Sequence, residues 1–433
     1  MDKRFFIRLL GLWFALLIIF GCSQKEELFG EIDKETMEKE NREPEYPEPD
    51  SSPRAEPIEL TLKQSEMSSA DNRFAFSMFK EISANNGDNT FFSPLSLNMA
   101  LGMLYNGASG DARTEMADVL GFAGFTELEI NEYYRKMSQS LLEIDPLTDI
   151  GIANSIWYRE GYPVKQPFVD INKTYFDAMV RPLDFSRPDA PDTINSWCAE
   201  KTKDKIKEII HGQISFEVKL YLINALYFKS KWEYEFDQAK TKQDDFTKTD
   251  NGKVKVEMME QNQLLPYYAD QYLECVEMPY GNEAFSMVAV LPANNMDIDQ
   301  LIDYLDDVKW QNIVDNLHWR DVSLKLPKFK IECEFSLDEP VWNVGIQKIF
   351  GGGLYNISDG PLAVSEIRQK TFVEVNEEGT EAAAVTIIAI TDSEGGSPYT
   401  PVPFHANRPF LYLIKEKSTG VILFIGRMDE PVN

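Results

Sequence analysis

Histidine and cysteine are scarce in this 433-residue chain, with three of the first and four of the second. His211, His318 and His405 stand far apart and form no HxxxH pair, and Cys198, Cys275 and Cys333 lack the close spacing of a zinc site. Neither a metal centre nor a disulfide scaffold finds support, and these three thiols are expected to be free and partly buried. No GxSxG elbow accompanies the serines, and no histidine sits in a recognisable triad context. Gly351–Gly353 follows Phe350 without the Lys-Ser/Thr pair of a phosphate loop and reads as a turn. Catalysis is set aside on these grounds, and no cofactor is expected. Positive charge is short too: 43 Lys and Arg face 71 Asp and Glu, for a net charge of -28. Nucleic-acid phosphates would be repelled, so the acidity is read as a solvated surface.

What is present begins with an export signal. Lys3, Arg4 and Arg8 precede the apolar run Leu9 to Phe20, which is too short to span a bilayer and fits a secretory signal over residues 1–21. Ile19, Phe20, Gly21 and Cys22 resemble a bacterial lipobox, which implies acylation of Cys22. The following Lys25, Glu26 and Glu27 resemble the acidic signal that sends some bacterial lipoproteins to the cell surface. An outer-membrane lipid anchor, with the chain exposed at the cell surface, is therefore expected. Residues 22–64 are rich in Glu, Asp and Pro, including EPEYPEPD from Glu43 to Asp50, and are expected to form an extended tether.

The remainder, 65–433, is read as one globular domain, within a chain that is 43% hydrophobic and can bury a sizeable core. Phe74, Phe76, Met78, Phe79 and Ile82 recur in a broadly helical pattern, and Leu97 to Tyr105 reads as a second helix after a Ser93-Pro94 start. Helices are expected to dominate the first half. From Leu220 onward, runs such as LYLINALYFK, FSMVAVLP and VILFIG alternate with Pro, Asn and Gly turns and predict strands. The class is α+β, an N-terminal helical region with large mixed β-sheets.

Glu374 to Ile390, EVNEEGTEAAAVTIIAI, carries the most information. In an extended strand Thr380, Ala382, Ala384, Thr386, Ile388 and Ile390 share one face that bears no charge and could be buried, while Glu381 falls on the other. TDSEGGSPYTPVP follows, a composition suited to an exposed, protease-accessible loop. On pattern alone the first part fits an ordinary interior strand equally well.

Glu377, Glu378, Gly379, Thr380, Glu381, Ala382, Ala383 and Ala384 resemble the reactive-loop hinge of the serpins. Further blocks agree in family order: NTFFSPLSLNMALGMLYNG from Asn89, NALYFKSKWEYEFD from Asn224, VEMMEQ from Val256, Met278 to Tyr280 with Leu291 and Pro292, LPKF from Leu326 and the stretch Phe404 to Pro431. The resemblance implies a serpin fold with an exposed reactive-centre loop, and a suicide inhibitor of serine endopeptidases, extending to cysteine endopeptidases. The target would acylate itself on the loop, and the cut loop would enter the main sheet as a strand. The competing reading is a non-inhibitory binding platform on the same scaffold, and in either case a monomer is expected.

The resemblance also assigns Ser93, Ser96 and Asn224 to a polar cluster beneath the opening sheet and Trp232 to its upper end. Gln369, followed by Lys370, occupies the place where many members carry histidine. The scissile region spans Ile390, Thr391, Asp392, Ser393, Glu394 and Gly395. Family spacing counted forward from Gly379 points to Ser393, and spacing counted back from Pro409 and Phe410 points nearer Gly395. Ile390 would suit an elastase-like or subtilisin-like target, Asp392 or Glu394 an acid-specific one, and Ser393 a small pocket. None of the six is basic, so a trypsin-like target is disfavoured.

Overall fold

Apolar residues recur every third or fourth position at Met67, Ala70, Phe74, Met78 and Ile82, and there the chain forms helix α1 (Leu62–Asn85), which buries all five. The structure, a computed structural model, describes residues 54–85, 89–380 and 400–432. Strand β1 (Thr90–Phe92) leads into α2 (Pro94–Gly107). Ser93 caps α2 by accepting from the Ser96 amide, and Pro94 takes the first turn, where its missing N–H costs nothing. Because α2 is buried on nearly every side, it lies inside the molecule. Helices α3 (Gly110–Val119) and α4 (Glu127–Glu143) follow, the latter opened by a Thr126–Glu129 capping box.

Strands appear earlier than the composition suggests. β2 (Asp149–Arg159), α5 (Gln166–Phe176), β3 (Met179–Leu183) and α6 (Ala190–Lys201) precede β4 (Leu220–Lys231). The second half holds β5 (Lys242–Thr247), β6 (Lys253–Ala269), β7 (Leu273–Tyr280), β8 (Phe285–Pro292), α7 (Ile298–Tyr304), α8 (Asp307–Asp315), β9 (His318–Pro327), β10 (Phe329–Ser336) and α9 (Asp338–Asn343). The chain continues through β11 (Arg368–Asn376), the two-residue β12 (Gly379–Thr380), β13 (Val402–His405), β14 (Phe410–Glu416) and β15 (Ile422–Met428). The fold is α+β, and among the described residues it holds two mixed sheets.

The wider sheet runs β1-β15-β14-β8-β7-β6-β9-β13, with β5 also pairing β6. Its strands β8, β14 and β15 are buried along their whole length, which accounts for their unbroken apolar sequences. The second sheet runs β10-β11-β12-β4-β2-β3. Its inner face, with Leu226 and Phe228 of β4, joins the main core, and α2 lies beneath it, Ser96 bonding Asn224. Its outer face, with Ile223 and Ala225, packs under α6 in a separate cluster around Trp157, Trp197 and Ile194. Gly351–Gly353 is a turn, as its sequence suggests: Gly352 and Gly353 have positive φ, and the Gly353 carbonyl accepts from the Ser109 amide at 2.8 Å.

Cys198, Cys275 and Cys333 are free and buried. Cys22, Glu381–Ala384 and Ile390–Gly395 lie outside the described residues, as do residues 1–53. Residues 54–61, which composition assigns to the tether, rest against the body. The Ala55 amide donates to the Asn282 carbonyl at 3.0 Å, Arg54 pairs with Glu283 at 2.8 Å, and Ile58 and Leu60 pack on the core.

Candidate functional site

Residues 376–380 turn the chain back into its own sheet. Asn376 Oδ1 accepts from the amides of Glu378 (3.0 Å) and Gly379 (3.2 Å), a side-chain-closed turn that starts β12. Gly379 has φ +152°, and a Cβ there would sit 2.1 Å from the Ser230 carbonyl oxygen, so only glycine passes this point unstrained. β12 then pairs antiparallel with both neighbours: Thr380 lies opposite Val375 of β11 and Ser230 of β4, and Gly379 opposite Asn376 and Lys231.

The Thr380 side chain is buried, and its hydroxyl meets the Tyr280 hydroxyl at 2.5 Å. Burial raises the Tyr280 phenol far above its ordinary value, so it stays neutral. Trp232 stacks on the Tyr280 ring with centroids 4.4 Å apart and 10° between planes. Its indole N–H donates to the Asn376 carbonyl at 2.9 Å, and its amide donates to the Glu378 carbonyl at 2.9 Å. Trp232 therefore holds the turn from two sides. Glu377 is buried: burial alone would raise its carboxyl, but bonds from its own backbone, Thr241 (2.8 Å) and Lys328 (3.1 Å) hold it below the ordinary range.

Below β12 the sheet is split. Among the described residues no ladder joins β11 directly to β4. A cavity of about 100 Å3 lies between their lower halves, over α2, lined by Leu101, Leu104, Leu220, Leu222, Asn224 and Gln369, among others. The polar residues expected under the sheet meet at its edge. Ser96 donates its hydroxyl to Asn224, and Asn224 donates to Asn154 Oδ1 at 2.6 Å. Gln369 Oε1 accepts from the Ser93 amide and its Nε2 donates to the Ser93 carbonyl, both at 2.8 Å, while the Ser93 hydroxyl donates to the Leu423 carbonyl at 2.8 Å. Glutamine thus ties β11 to the start of α2 with uncharged bonds.

Lys370 does not belong to this cluster. Neighbouring strand residues point to opposite faces, so with Gln369 inside, Lys370 faces outward, where it pairs with Glu332 of β10 at 2.7 Å. Asn154, Asn376 and Tyr280 are part of the arrangement although no motif marks their roles. Tyr280 closes the run Met278 to Tyr280, which matches the family in sequence without indicating the contact with Thr380.

A family model described as serpin (serine protease inhibitor) matches residues 69–431. The chain is a serpin. Iripin-3 of Ixodes ricinus is 35% identical over 369 residues, covering 83% of this chain and 93% of the relative. A serpin-like protein of Methanosarcina acetivorans is 33% identical over 379 residues, covering 86% of this chain and 88% of the relative. Among solved structures, the native state of the thermophilic serpin tengpin superposes with a TM-score of 0.79 at 30% identity over 87% of this chain and 97% of tengpin. Human thyroxine-binding globulin superposes with a TM-score of 0.77 at 26% identity over 86% and 100% of the two chains. Serpins are generally protease inhibitors, though some are non-inhibitory, and the second neighbour is named for binding thyroxine. In this serpin, β12 is the last described stretch before residues 381–399, and below it β11 and β4 share no ladder among the described residues.

Proposed function

We propose that this serpin inhibits serine endopeptidases, and by the same acyl chemistry cysteine endopeptidases, by inserting its cleaved reactive loop between β11 and β4. The observation that carries the reading is the register of β12 together with the absence of any ladder below it between the flanking strands, among the described residues. Continuing that register in the cut form puts Ala382 between Phe228 and Val373, Ala384 between Leu226 and Thr371, and Thr386 between Asn224 and Gln369. Ile388 then falls opposite Leu222, at the cavity. Every one of these flanking β4 and β11 positions faces inward, so the small side chains meet the core and Thr386 meets the polar residues.

The target's nucleophile attacks the exposed loop and forms an acyl-enzyme. Insertion adds ladder bonds on both sides of the new strand and carries the acylated protease with it. Distortion of the protease's oxyanion site then slows deacylation and leaves the ester intact. Elastase-like or subtilisin-like enzymes are the favoured targets, since the candidate scissile residues from Ile390 to Gly395 include no base. We further propose that the mature chain is anchored at the outer membrane through acylated Cys22 and faces outward. Cys22→Ala should release the protein from the membrane fraction.

Incubating residues 23–433 with elastase-like, subtilisin-like, glutamate-specific and papain-like proteases tests the central reading. A denaturant-resistant adduct is expected. Cleavage without adduct by all of them would favour a binding platform on the serpin scaffold.

A further inference from the structure

We propose that the cavity between α6 and the β2–β3 end of the second sheet is a binding site for short peptides with free termini. It is independent of the inhibitory reading, since no step of loop insertion enters into it. The cavity measures about 560 Å3, within the range of small-ligand sites. One wall is a single face of α6: Thr193, Ser196, Trp197, Glu200 and Lys201 recur at the three- and four-residue spacing that sets helical side chains in one row. The floor is the outer face of the sheet. Ser155 and Trp157 of β2 lie opposite Met179 and Arg181 of β3, and strand residues two apart share a face, so Trp157, Met179 and Arg181 all turn toward α6.

Charge selects the ligand. Arg181 lies over the Trp157 ring, its Cζ 5.5 Å from the centroid, and makes no ion pair among the described residues. In a chain with 71 acidic and 43 basic residues, a base without a carboxylate is the exception. Asp177 closes α5 in the left-handed region at φ 47°, and its carboxylate has no hydrogen-bond or ion-pair partner among the described residues either. The other two charges offset each other, Lys201 Nζ lying 3.1 Å from Glu200. One cation and one anion are therefore available to a ligand. A simple anion would be repelled by Asp177 and a simple cation would leave Arg181 unmatched, whereas a molecule charged oppositely at its two ends satisfies both. Met179 and Trp197 supply apolar surface for its middle. Trp197 is buried, yet its indole N–H has no acceptor among the described residues, while that of Trp157 donates to Ser155 Oγ at 2.9 Å. Buried indole N–H groups usually find a partner, and here a peptide carbonyl fits that role.

Length narrows the class further. The backbone from Asp177 to Arg181 spans at most about 14 Å. Three extended residues cover about 10 Å, so a di- or tripeptide reaches from one charge to the other, with its carboxylate on Arg181 and its ammonium on Asp177. A single amino acid carries both charges on one carbon and has no backbone amide to offer Trp197.

The test titrates the full chain with trialanine, N-acetyl-trialanine, trialaninamide and free alanine by isothermal titration calorimetry. Tryptophan fluorescence is followed in parallel, since Trp157 and Trp197 line the cavity. Trialanine should bind saturably at one site, and blocking either end should weaken it about tenfold, the worth of one charge-assisted hydrogen bond. Arg181→Gln should bind trialanine about tenfold more weakly and no longer distinguish it from trialaninamide, while still preferring it to the acetylated peptide. Asp177→Asn should show the reverse pattern, and asparagine tolerates the left-handed backbone at that position. Circular dichroism checks both folds, and each variant controls for the other, because damage to the fold would abolish both preferences at once. No saturable binding of trialanine by the parent, free alanine binding as tightly as trialanine, or variants that keep the parent's ranking of the peptides would overturn the site. None of these results bears on adduct formation, so the inhibitory reading stands or falls separately.

Discussion

Thr380→Arg puts the hinge under the sharpest test. Thr380 is 2% exposed, with its hydroxyl on Tyr280, and its flanking residues Ser230 and Val375 carry no carboxylate. A guanidinium in that place would be an uncompensated buried charge, a penalty of several kcal/mol. It escapes only if β12 withdraws, which gives up the Tyr280 bond and both short ladders. Adding only about 3 kcal/mol to the barrier slows insertion roughly 100-fold at 1.36 kcal/mol per decade. Hydrolysis of the acyl-enzyme then wins, and the variant becomes a substrate. The assay mixes each chain with the trapping protease and separates adduct from cleaved chain on a denaturing gel; far-ultraviolet circular dichroism confirms the fold. Thr380→Val, which loses only the hydroxyl, should still trap. Trapping by Thr380→Arg at the parent's efficiency would refute the insertion argument.

Other expectations follow from the same geometry. Tyr280→Phe leaves the buried Thr380 hydroxyl without this partner and should destabilise the uncut form by about 1–2 kcal/mol in denaturant melts, with the β12 end affected first in hydrogen exchange. Gly379→Ala places a Cβ 2.1 Å from a backbone oxygen and should expel β12, reducing adduct yield while leaving the wider sheet's exchange protection intact. Asp71 is buried against Tyr133 (2.6 Å), Tyr134 (3.1 Å) and Asn98 (3.0 Å), and burial raises its carboxyl from 3.8 to about 7 despite the tyrosine bonds. The folded chain thus holds a proton the unfolded chain has released, and stability falls as pH rises from about 4 to about 7. At 1.36 kcal/mol per unit the penalty above pH 7 is on the order of 4 kcal/mol. Asp71→Asn should raise the thermal midpoint at pH 8 and change it little at pH 4; an equal change at both would contradict this.

The proposed insertion demands a local pattern, alternate small uncharged residues, which the sequence carries as Thr380, Ala382 and Ala384; of these Thr380 lies among the described residues, buried between β11 and β4. Capping chemistry marked the start of α2 at Ser93 and Pro94 in the same way. β2 and β3 were not anticipated. Their sheet is covered by α2 on one face and α6 on the other, so DIGIANSIWYR shows no clean alternation to separate it from its helical surroundings. Lys370 was grouped with Gln369 by adjacency, but the pleat sends consecutive side chains to opposite faces. The seat of residues 54–61 depends on backbone bonds, one arginine and the apolar Ile58 and Leu60, too few to leave a periodic trace. Ile209 and Ile210 belong to no motif in the sequence, and only the fold brings them to the cavity.

Insertion itself is the central claim, and heat stability before and after loop cleavage measures it most directly. A new strand from Thr380 to Ile388 with ladders on both sides adds on the order of 10 kcal/mol at about 1 kcal/mol per hydrogen bond. At roughly 2 °C per kcal/mol for a domain of this size, the cleaved serpin should melt about 20 °C above the uncut one. A chain cut cleanly within Ile390–Gly395 whose midpoint does not move would contradict the account.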